Sequence, residues 1–388
     1  MIPRQPGPEF QHLLKEYPIV TVLGPRQSGK TTLVRESLPD YAYVSLEDPD
    51  TRELALADPR QFLRNFPGQA IFDEIQRAPE LLNYLQTLVD SSKQKGQFVL
   101  TGSHQLELRQ GITQTLAGRT AILTLYPLSY AELQDHGLPF DTFEDLAFHG
   151  TLPRVHADQI RPTPAYRDYY RTYVERDVRQ LINLKDSALF EKFLKLLAGR
   201  VGQIADYSSL ANDVGVSQKT IRSWLSILEA SFITFRLTPY YENFGKRVIK
   251  SPKIYFIEPG LLIYLLGITK PDQISRDPLV GNIFENLIVT EALKTRANQG
   301  ADPDLHFFRD SNGNEIDLLT GPPKNLTAIE IKSAATYNPA FLKGFRSFEK
   351  NNAPLKNKHL VYNGDTLHLP ENTQGWNFKD TANLFSYE

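Results

Sequence analysis

The sequence predicts an α/β protein that begins with a parallel sheet and ends with a second α/β unit. Short apolar runs alternate with helical patterns from Ile19 to Leu125, which is typical of a parallel sheet covered by helices. A glycine-rich loop interrupts this alternation after the first run, where a strand would turn into a helix. From Gly281 onward the patterns predict a helix, three strands, a helix and a strand. The stretch between the two parts is mainly helical.

The composition limits the class of protein. A chain of 388 residues can form two or three cores, and 41% hydrophobic with 23% charged residues is ordinary for a globular protein. No apolar run is long enough to cross a bilayer, and residues 1–8 have no apolar signal core, so we expect a cytoplasmic protein. The absence of cysteine excludes disulfides and thiolate metal ligands. Because the net charge is −2, any binding of nucleic acid would depend on a local basic patch.

One stretch fits the phosphate-binding pattern G-x-x-x-x-G-K-[ST] without a mismatch. It follows an apolar run and opens a helical segment, so backbone N–H groups and the positive end of a helix would converge on an anion. Lys30 would bind the β- and γ-phosphates of ATP, and the Thr31 hydroxyl would ligate Mg²⁺. The predicted ATP-binding residues are Gly24, Pro25, Arg26, Gln27, Ser28, Gly29, Lys30, Thr31 and Thr32. The alternative is a glycine loop that matches the pattern by chance.

Two adjacent acids end the strand that the sequence predicts over Gln69 to Ile75. A parallel strand brings its C-terminal residues to the sheet edge that carries the phosphate loop. Asp73 would therefore hold Mg²⁺ through water, and Glu74 would polarise the attacking water. Alternatively, the two acids are a solvated pair at the end of a strand.

Short motifs along most of the chain carry a resemblance to a known family. The motifs are Val20 to Leu33, Ile71-Phe-Asp-Glu-Ile-Gln76, Leu100-Thr-Gly-Ser103, Leu116-Ala-Gly-Arg119, Tyr126 to Glu132, Tyr169 to Asp177, Lys253-Ile-Tyr-Phe256 and Gly281 to Asn286. Together they resemble a widespread group of prokaryotic AAA+ ATPases whose C-terminal half is a domain of unknown function. Ile257-Glu-Pro-Gly260 departs from the family pattern, which tends to have an aspartate there, although Glu258 keeps the charge. The resemblance implies ATP binding and hydrolysis.

The resemblance also implies two further catalytic roles. In AAA+ ATPases a polar residue on the strand after the acid pair contacts the γ-phosphate or its water, and Ser103 or Thr101 would take this role. Either residue could instead cap the following helix. An arginine before the last strand of the sheet reaches the nucleotide of a neighbouring subunit, which predicts a homo-oligomer. Arg119 is the first candidate and Arg109 the second, unless both are ordinary surface arginines.

Helical patterns replace the strands after Pro127. They cover Ser129 to His136, Phe143 to His149 and Pro164 to Asn183, and a helical lid after the nucleotide core is usual for AAA+ proteins. The last segment interleaves tyrosines with arginines, which would suit a phosphate-contacting face. Acids are mixed through the same segment, which favours tyrosines that pack and arginines that pair with those acids.

A helix-turn-helix pattern follows over Ser208 to Leu228, with Gly215 ending the first helix and Ser217 capping the second. Apolar runs at Phe232 to Leu237 and Ile254 to Ile257 would form a wing. The second helix would expose DNA-binding side chains, namely Gln218, Lys219 and Arg222. Winged helices also serve purely as packing modules, and this alternative stays open.

The order of elements after Gly281 resembles the core of the PD-(D/E)xK nuclease superfamily. Asp317 and Glu330 would lie on adjacent strands as oxygen ligands for Mg²⁺ or Mn²⁺, and Glu285 would reach in from the preceding helix. Lys332 would share the face of Glu330 and orient a water or neutralise the leaving phosphate. The alternative is a salt-bridged surface on a noncatalytic version of the fold.

These motifs divide the chain into four predicted domains. They are an ATP-binding AAA+ domain over 1–127, a helical lid or linker over 128–187, a winged helix-turn-helix over 188–258 and a nuclease-like domain over 259–388. The predicted function is ATP hydrolysis by an oligomer, coupled to the handling or remodelling of DNA, with metal-dependent cleavage left open. The alternative is an ATP-driven regulatory or scaffold switch that acts on proteins without DNA. A small-molecule kinase has no acceptor motif in its favour.

Overall fold

The computed structural model of the protein describes residues 2–103, 115–178, 187–240, 251–351 and 354–385. The chain divides into two compact units. The first consists of Met1–Leu128 with the short segments Ala230–Phe232 and Ala297–Ala301, and the second contains the rest of the chain. Within the described residues, no helix combines the length and the apolar character needed to span a bilayer.

The first unit is built on a five-stranded parallel sheet. Its strands are β1 (Ile19–Leu23), β2 (Ala42–Ser45), β3 (Ala70–Asp73), β4 (Phe98–Gly102) and β5 (Thr120–Thr124). They lie in the order β2-β3-β4-β1-β5, and every neighbouring pair is parallel. The inner strands β1, β3 and β4 are buried at every position, which explains their continuous apolar runs. In the edge strand β5, buried residues alternate with more exposed ones. The predicted parallel sheet is confirmed.

Helices cover this sheet. They are α1 (Gly7–Glu16), α2 (Lys30–Ser37), α3 (Pro49–Ala57), α4 (Pro59–Arg64) and α5 (Leu81–Ser92), with a 3₁₀ turn at Ile75–Arg77. The core beneath α1 and α2 joins Phe10 and Leu33 to the buried side chains of β1, β3, β4 and β5. The helix predicted over His104 to Leu116, with Arg109, lies almost entirely outside the described residues.

The parallel topology fixes which residues share a sheet edge. The C-terminal ends of β1, β3 and β4 meet at one edge, and β4 separates the other two strands. The phosphate loop follows β1 at this edge, and the residues after Asp73 and Gly102 leave the sheet there as well. Arg119 directly precedes β5 and therefore lies at the opposite edge.

The chain beyond residue 128 begins with several helices, and further helices lie between the strands of its sheet. They are α6 (Tyr130–Asp135), α7 (Phe143–His149), α8 (Pro153–Ala157), α9 (Pro162–Tyr169), a π-helix (Tyr170–Val178), α10 (Ser187–Ala198), α11 (Tyr207–Val214), α12 (Gln218–Ala230), α13 (Pro259–Leu265), α14 (Val280–Asn298) and α15 (Lys343–Asn351). Single 3₁₀ turns occur at Pro271–Arg276, Pro339–Leu342 and Phe378–Leu384. The tyrosines of α9 and the π-helix are buried, which confirms that they pack; Arg179 lies outside the described residues.

One buried carboxylate, Glu258, ties several of these helices together. It accepts hydrogen bonds from the N–H and the hydroxyl of Thr151, each at 2.8 Å. The Tyr166 hydroxyl donates to it at 2.8 Å, and the Gly260 N–H at 3.2 Å. Glu258 therefore begins α13 and fastens α9 to it, which gives a structural reason for an acid at this position.

The predicted helix pair is present. Helix α11 ends at Gly215, which has a φ of 94°, a conformation that favours glycine. The Ser217 hydroxyl caps the start of α12, since it accepts a hydrogen bond from the Thr220 N–H at 3.1 Å. The strands that follow belong to a mixed eight-stranded sheet. They are β6 (Thr234–Pro239), β7 (Lys253–Phe256), β8 (His306–Arg309), β9 (Glu315–Thr320), β10 (Thr327–Lys332), β11 (Asn357–Tyr362), β12 (Leu367–Leu369) and β13 (Thr373–Asn377).

The order in this sheet is β12-β13-β11-β10-β9-β8-β6-β7. Strands β6 and β7 are antiparallel, as expected of a wing, but β6 also pairs with β8 through Thr238 and Pro239. One sheet thus contains strands from both the predicted winged helix-turn-helix and the predicted nuclease-like domain. Pairing between strands so far apart in the chain leaves no local pattern, and for that reason it escaped prediction.

Candidate functional site

The phosphate loop runs from the end of β1 into α2 through two left-handed residues, Gln27 with φ of 63° and Gly29 with φ of 90°. Gly24 passes so close to Leu125, the residue that follows β5, that an added Cβ would lie 2.0 Å from the Leu125 carbonyl oxygen. Only glycine fits at this position. Gly29 directly precedes the first residue of α2, so the first N–H groups of that helix face the loop.

The Lys30 ammonium lies inside this loop. Its Nζ donates to the carbonyl oxygens of Gly24 at 3.0 Å and Pro25 at 2.8 Å, and the residue is 5% exposed. Burial lowers the pKa of Lys30, while the nearby carboxylates of Glu74 and Asp73 partly oppose this effect. The ammonium is thus held against the backbone of the phosphate loop.

The Asp73 carboxylate ends β3 and collects hydroxyl donors. Thr31, the first residue after Lys30, donates to its two oxygens at 3.1 and 3.3 Å. The Tyr43 hydroxyl donates at 2.6 Å, and the Thr101 hydroxyl donates to the other oxygen. The Thr31 hydroxyl and the Asp73 carboxylate form a pair of hard oxygen ligands that suits Mg²⁺.

Glu74 lies beside this pair in a left-handed conformation, with φ of 56° and ψ of 48°. Its Oε2 accepts hydrogen bonds from the Ser103 hydroxyl at 3.0 Å and from the Gln76 amide. Its N–H donates to Thr101 Oγ1 at 3.2 Å. The structure therefore brings the acid pair together with both residues considered for the γ-phosphate contact.

The other loop residues lie around this centre. Arg26 is 3.9 Å from Glu47, Ser28 is fully buried, and Thr32 lines a cavity of about 470 Å³ beside α2 together with Tyr43. Tyr43 was not predicted. It lies on β2 two residues before Ser45, which pairs with Asp73, so the side chains of Tyr43 and Asp73 are on the same face of the sheet.

Arg4 is a second residue that the sequence analysis missed. It donates to the carbonyl oxygens of Ser28 at 2.5 Å and Tyr126 at 2.8 Å, and so ties the phosphate loop to the chain that follows β5. Nothing in the local sequence indicates this contact.

Arg119 is paired within its own chain. Its Nε and Nη2 atoms donate to the two carboxylate oxygens of Asp90 at 2.6 and 2.9 Å, and Nη1 donates to the Ala117 carbonyl. This hydrogen bonding lowers the pKa of the Asp90 carboxyl. Because Arg119 is at the edge opposite the phosphate loop, it could reach a nucleotide only in another subunit.

The predicted DNA-binding side chains are exposed on α12. Two of them are engaged by α11: Gln218 donates to the Ser208 hydroxyl at 2.7 Å, and the Arg222 guanidinium stacks 4.0 Å above the centre of the Tyr207 ring. Lys219 extends from the exposed side of the same helix.

The second predicted site, in the mixed sheet, contains two lysines among its carboxylates. Lys332 Nζ donates to Asp317 Oδ2 at 2.6 Å and to Glu330 Oε2 at 2.8 Å. Glu285 accepts hydrogen bonds from Lys253 at 2.7 Å and from the Tyr255 hydroxyl at 2.5 Å. Ammonium groups therefore occupy the space between the carboxylates.

The electrostatics agree with this arrangement. Burial, together with the neighbouring Asp317, raises the pKa of Glu330 well above its usual range. Burial works against ionisation of Asp317 too, but Lys332 and Lys253 lower the pKa of that carboxyl. Among the residues that the structure describes, no group of three or more acidic, histidine or cysteine side chains could hold a metal ion. The predicted metal site of Glu285, Asp317 and Glu330 stays a prediction; in the structure these carboxylates form ion pairs with Lys253 and Lys332.

Lys253 also belongs to this cluster, and it was not predicted. It is 3% exposed and also forms an ion pair with Glu315 at 2.5 Å. The only signal was a lysine at the start of an otherwise apolar strand.

Comparison with known proteins places three family models along the chain. Residues 16–134 match the model described as AAA domain, residues 140–272 match a domain of unknown function (DUF8612), and residues 280–378 match another (DUF4143). An uncharacterized protein of Mycobacterium tuberculosis and one of Mycobacterium bovis are each 32% identical to this chain over 352 residues, covering 89% of this chain and 76% of theirs.

Solved structures resemble the chain more weakly. A Walker-type ATPase of Pyrococcus abyssi is 14% identical, with a TM-score of 0.46, and the match covers 68% of this chain and 96% of that one. A likeness at this level is too low to indicate a function.

Proposed function

Because this chain belongs to a family in which an AAA domain precedes two domains of unknown function, we propose that it binds ATP at the phosphate loop and hydrolyses it. The observation that supports the proposal is the meeting of a buried ammonium, a hydroxyl–carboxylate pair and a second carboxylate at one sheet edge. These groups belong to Lys30, Thr31, Asp73 and Glu74. Each has the chemistry that phosphoryl transfer to water requires.

Each side chain has a definite task in this proposal. Lys30 binds the β- and γ-phosphates, for which its ammonium must leave the carbonyl oxygens of the loop. Thr31 and Asp73 would hold Mg²⁺, which neutralises charge on the transferring phosphoryl group. Glu74 orients and polarises the attacking water, and Ser103 holds the Glu74 carboxylate in place.

The test is phosphate release from ATP by the purified full-length protein. We expect turnover that needs Mg²⁺ and is lost in both Lys30→Ala and Glu74→Gln proteins. ATP binding should separate the two variants, because Glu74→Gln removes only the water-orienting carboxylate. Turnover that persists in Lys30→Ala would refute the site.

We further propose that hydrolysis is coupled to DNA through the exposed face of α12. The support is the basic and amide character of Gln218, Lys219 and Arg222 on the exposed side of this helix. An alternative is a switch that acts on proteins, supported by the near-neutral net charge and by the contacts that hold Gln218 and Arg222 against α11. DNA cleavage is not part of the proposal, since lysines neutralise the carboxylates of the second cluster.

Turnover with single-stranded, duplex and branched DNA separates these two functions. The DNA proposal expects stimulation that falls in a Lys219→Ala, Arg222→Ala protein and at higher salt. Lys195→Ala, which removes an exposed lysine elsewhere in the second unit, is the control. An unchanged rate with every DNA would refute the coupling to DNA and leave the protein switch.

A further inference from the structure

A cavity of about 400 Å³ opens on the mixed sheet. Thr320 pairs with Thr327, and Thr327 pairs with Asn357, so these three side chains share one face of the sheet. Asp317 and Glu330 are each three residues away from a member of this ladder, so they point to the other face. The cavity is therefore separate from the salt-bridged cluster.

The lining of the cavity favours an anion that also accepts hydrogen bonds. Among the described residues that line it, none is acidic, although the chain as a whole has 45 acids and 43 lysines and arginines. Two cations, Arg296 and Lys356, line it with three amides, Asn325, Asn357 and Asn383. Arg296 is oriented by a hydrogen bond from its Nε to the Asp302 carbonyl at 2.8 Å.

A buried hydroxyl at the cavity has no hydrogen-bond partner among the residues that the structure describes. Thr320 is 4% exposed, and its Oγ1 makes no hydrogen bond within the described structure. Buried polar groups are almost always hydrogen-bonded in folded proteins, so this hydroxyl at the wall of the cavity can pair with a bound ligand or with water.

A histidine supplies a further donor. His359 Nδ1 accepts a hydrogen bond from the Trp376 indole N–H at 3.1 Å, which leaves the proton on Nε2. Burial lowers the pKa of His359 to about 4, so the ring is neutral near pH 7 and keeps this donor.

The Trp376 ring adds an aromatic surface. Its N–H is committed to His359, and its side chain lines the cavity. Bases stack on such rings, amides bind the edges of bases, and lysine or arginine binds phosphate. The volume also lies within the range of small-ligand sites.

We propose that this cavity binds one nucleotide unit, either a free nucleoside monophosphate or one nucleotide of a single strand. The base stacks on Trp376, and the phosphate is bound by Lys356 and Arg296. The Thr320 hydroxyl pairs with a polar group of the same ligand. This site is independent of the phosphate loop and of ATP turnover.

Tryptophan fluorescence tests the proposal in the full-length protein. The chain has two tryptophans, and Trp224 is 3% exposed between Phe190 and Phe193, so it acts as an internal reference. The probes are adenosine, guanosine, cytidine and uridine monophosphates and an oligodeoxythymidine single strand. We expect saturable quenching that is absent in Trp376→Phe and unchanged in Lys30→Ala.

Two variants test the cavity itself. Thr320→Val keeps the shape but removes the hydroxyl, so binding should weaken about two- to tenfold while the midpoint of urea unfolding does not fall. Lys356→Ala should weaken binding and reduce its dependence on salt. Lys358→Ala is the matched control and should bind as the wild type does, because Lys358 follows Asn357 on β11, lies on the opposite face of the sheet, and pairs with Glu349 at 3.5 Å.

The outcomes are distinct. Quenching by a monophosphate supports a free nucleotide as the ligand, and quenching by the oligonucleotide alone supports a single strand. The proposal is overturned if neither probe quenches Trp376 at millimolar concentration. It is also overturned if Thr320→Val and Lys356→Ala both bind as tightly as the Lys358→Ala control.

Discussion

Glu74 combines a strained backbone with the position at which the proposed reaction needs a carboxylate. A left-handed conformation costs a residue with a Cβ about 1–2 kcal/mol, and glycine avoids this cost. Glu74 adopts it at φ of 56° directly after β3. Strain of this kind persists where function requires it, so we expect Glu74→Gly to separate stability from turnover.

The magnitude follows from the contacts of the side chain. Glycine relieves about 1–2 kcal/mol of backbone strain but makes the unfolded chain more flexible, which costs about 0.5–1 kcal/mol. The half-exposed carboxylate also loses its hydrogen bonds from Ser103 and Gln76, at about 0.5 kcal/mol each. These effects offset one another, so the free energy of unfolding should stay within about 1 kcal/mol of the wild type. Phosphate release should fall about 100- to 10,000-fold.

Urea unfolding and phosphate release measure the two quantities on the same preparations. Lys93→Gly is the matched control, because Lys93 is an exposed residue with φ of 54° at the end of α5 and should keep full turnover. Retention of more than a tenth of wild-type turnover in Glu74→Gly would refute the role of the carboxylate. A loss of more than about 3 kcal/mol in the free energy of unfolding would refute the reasoning about strain.

Three further predictions concern other residues. If Arg119 acts on a neighbouring subunit, a mixture of inactive Arg119→Ala and Lys30→Ala proteins should regain turnover. Asp90→Asn, which releases the arginine, should not reduce turnover. A mixture as inactive as its two components would contradict the role of Arg119. Because burial lowers the pKa of Lys30 below its usual 10.5, ATP affinity should fall with rising pH before an exposed lysine would titrate, and Lys30→Arg should lack this fall; calorimetry across pH would measure both. Glu258→Ala breaks four buried hydrogen bonds and should lower the free energy of unfolding by about 3 kcal/mol or more in urea; a change below about 1 kcal/mol would count against its structural role.

The nucleotide-binding edge was predictable because its signals are local. A glycine loop between an apolar run and a helix can be recognised within a few residues, as can two acids at the end of a strand. Parallel topology then brings the ends of β1 and β3 together without further information. The left-handed backbone of Glu74 was not predictable, because glutamate has no particular preference for that conformation.

Contacts between distant residues escaped the sequence analysis. Lys253 forms ion pairs with Glu285 and Glu315, and so places a buried cation beside the predicted metal ligands. Arg4 reaches the phosphate loop across the chain, and Asp90 holds Arg119. Such pairs have no periodicity and no fixed spacing, so only the folded structure reveals them. The spacing of Asp317, Glu330 and Lys332 did predict that these three meet, because adjacent strands fix their faces.

Calorimetric titration of the Glu74→Gln protein with ATP and Mg²⁺ measures most directly whether the phosphate loop binds the nucleotide. Turnover is removed in this variant, so the heat reports binding alone. We expect one saturable site per chain. Binding should be lost in the double variant that carries both Glu74→Gln and Lys30→Ala, and it should weaken when Mg²⁺ is omitted. Absence of ATP binding in the Glu74→Gln protein would contradict the assignment of this loop as an ATP site. Equal ATP affinity in the Glu74→Gln protein and in the double variant would contradict it as well.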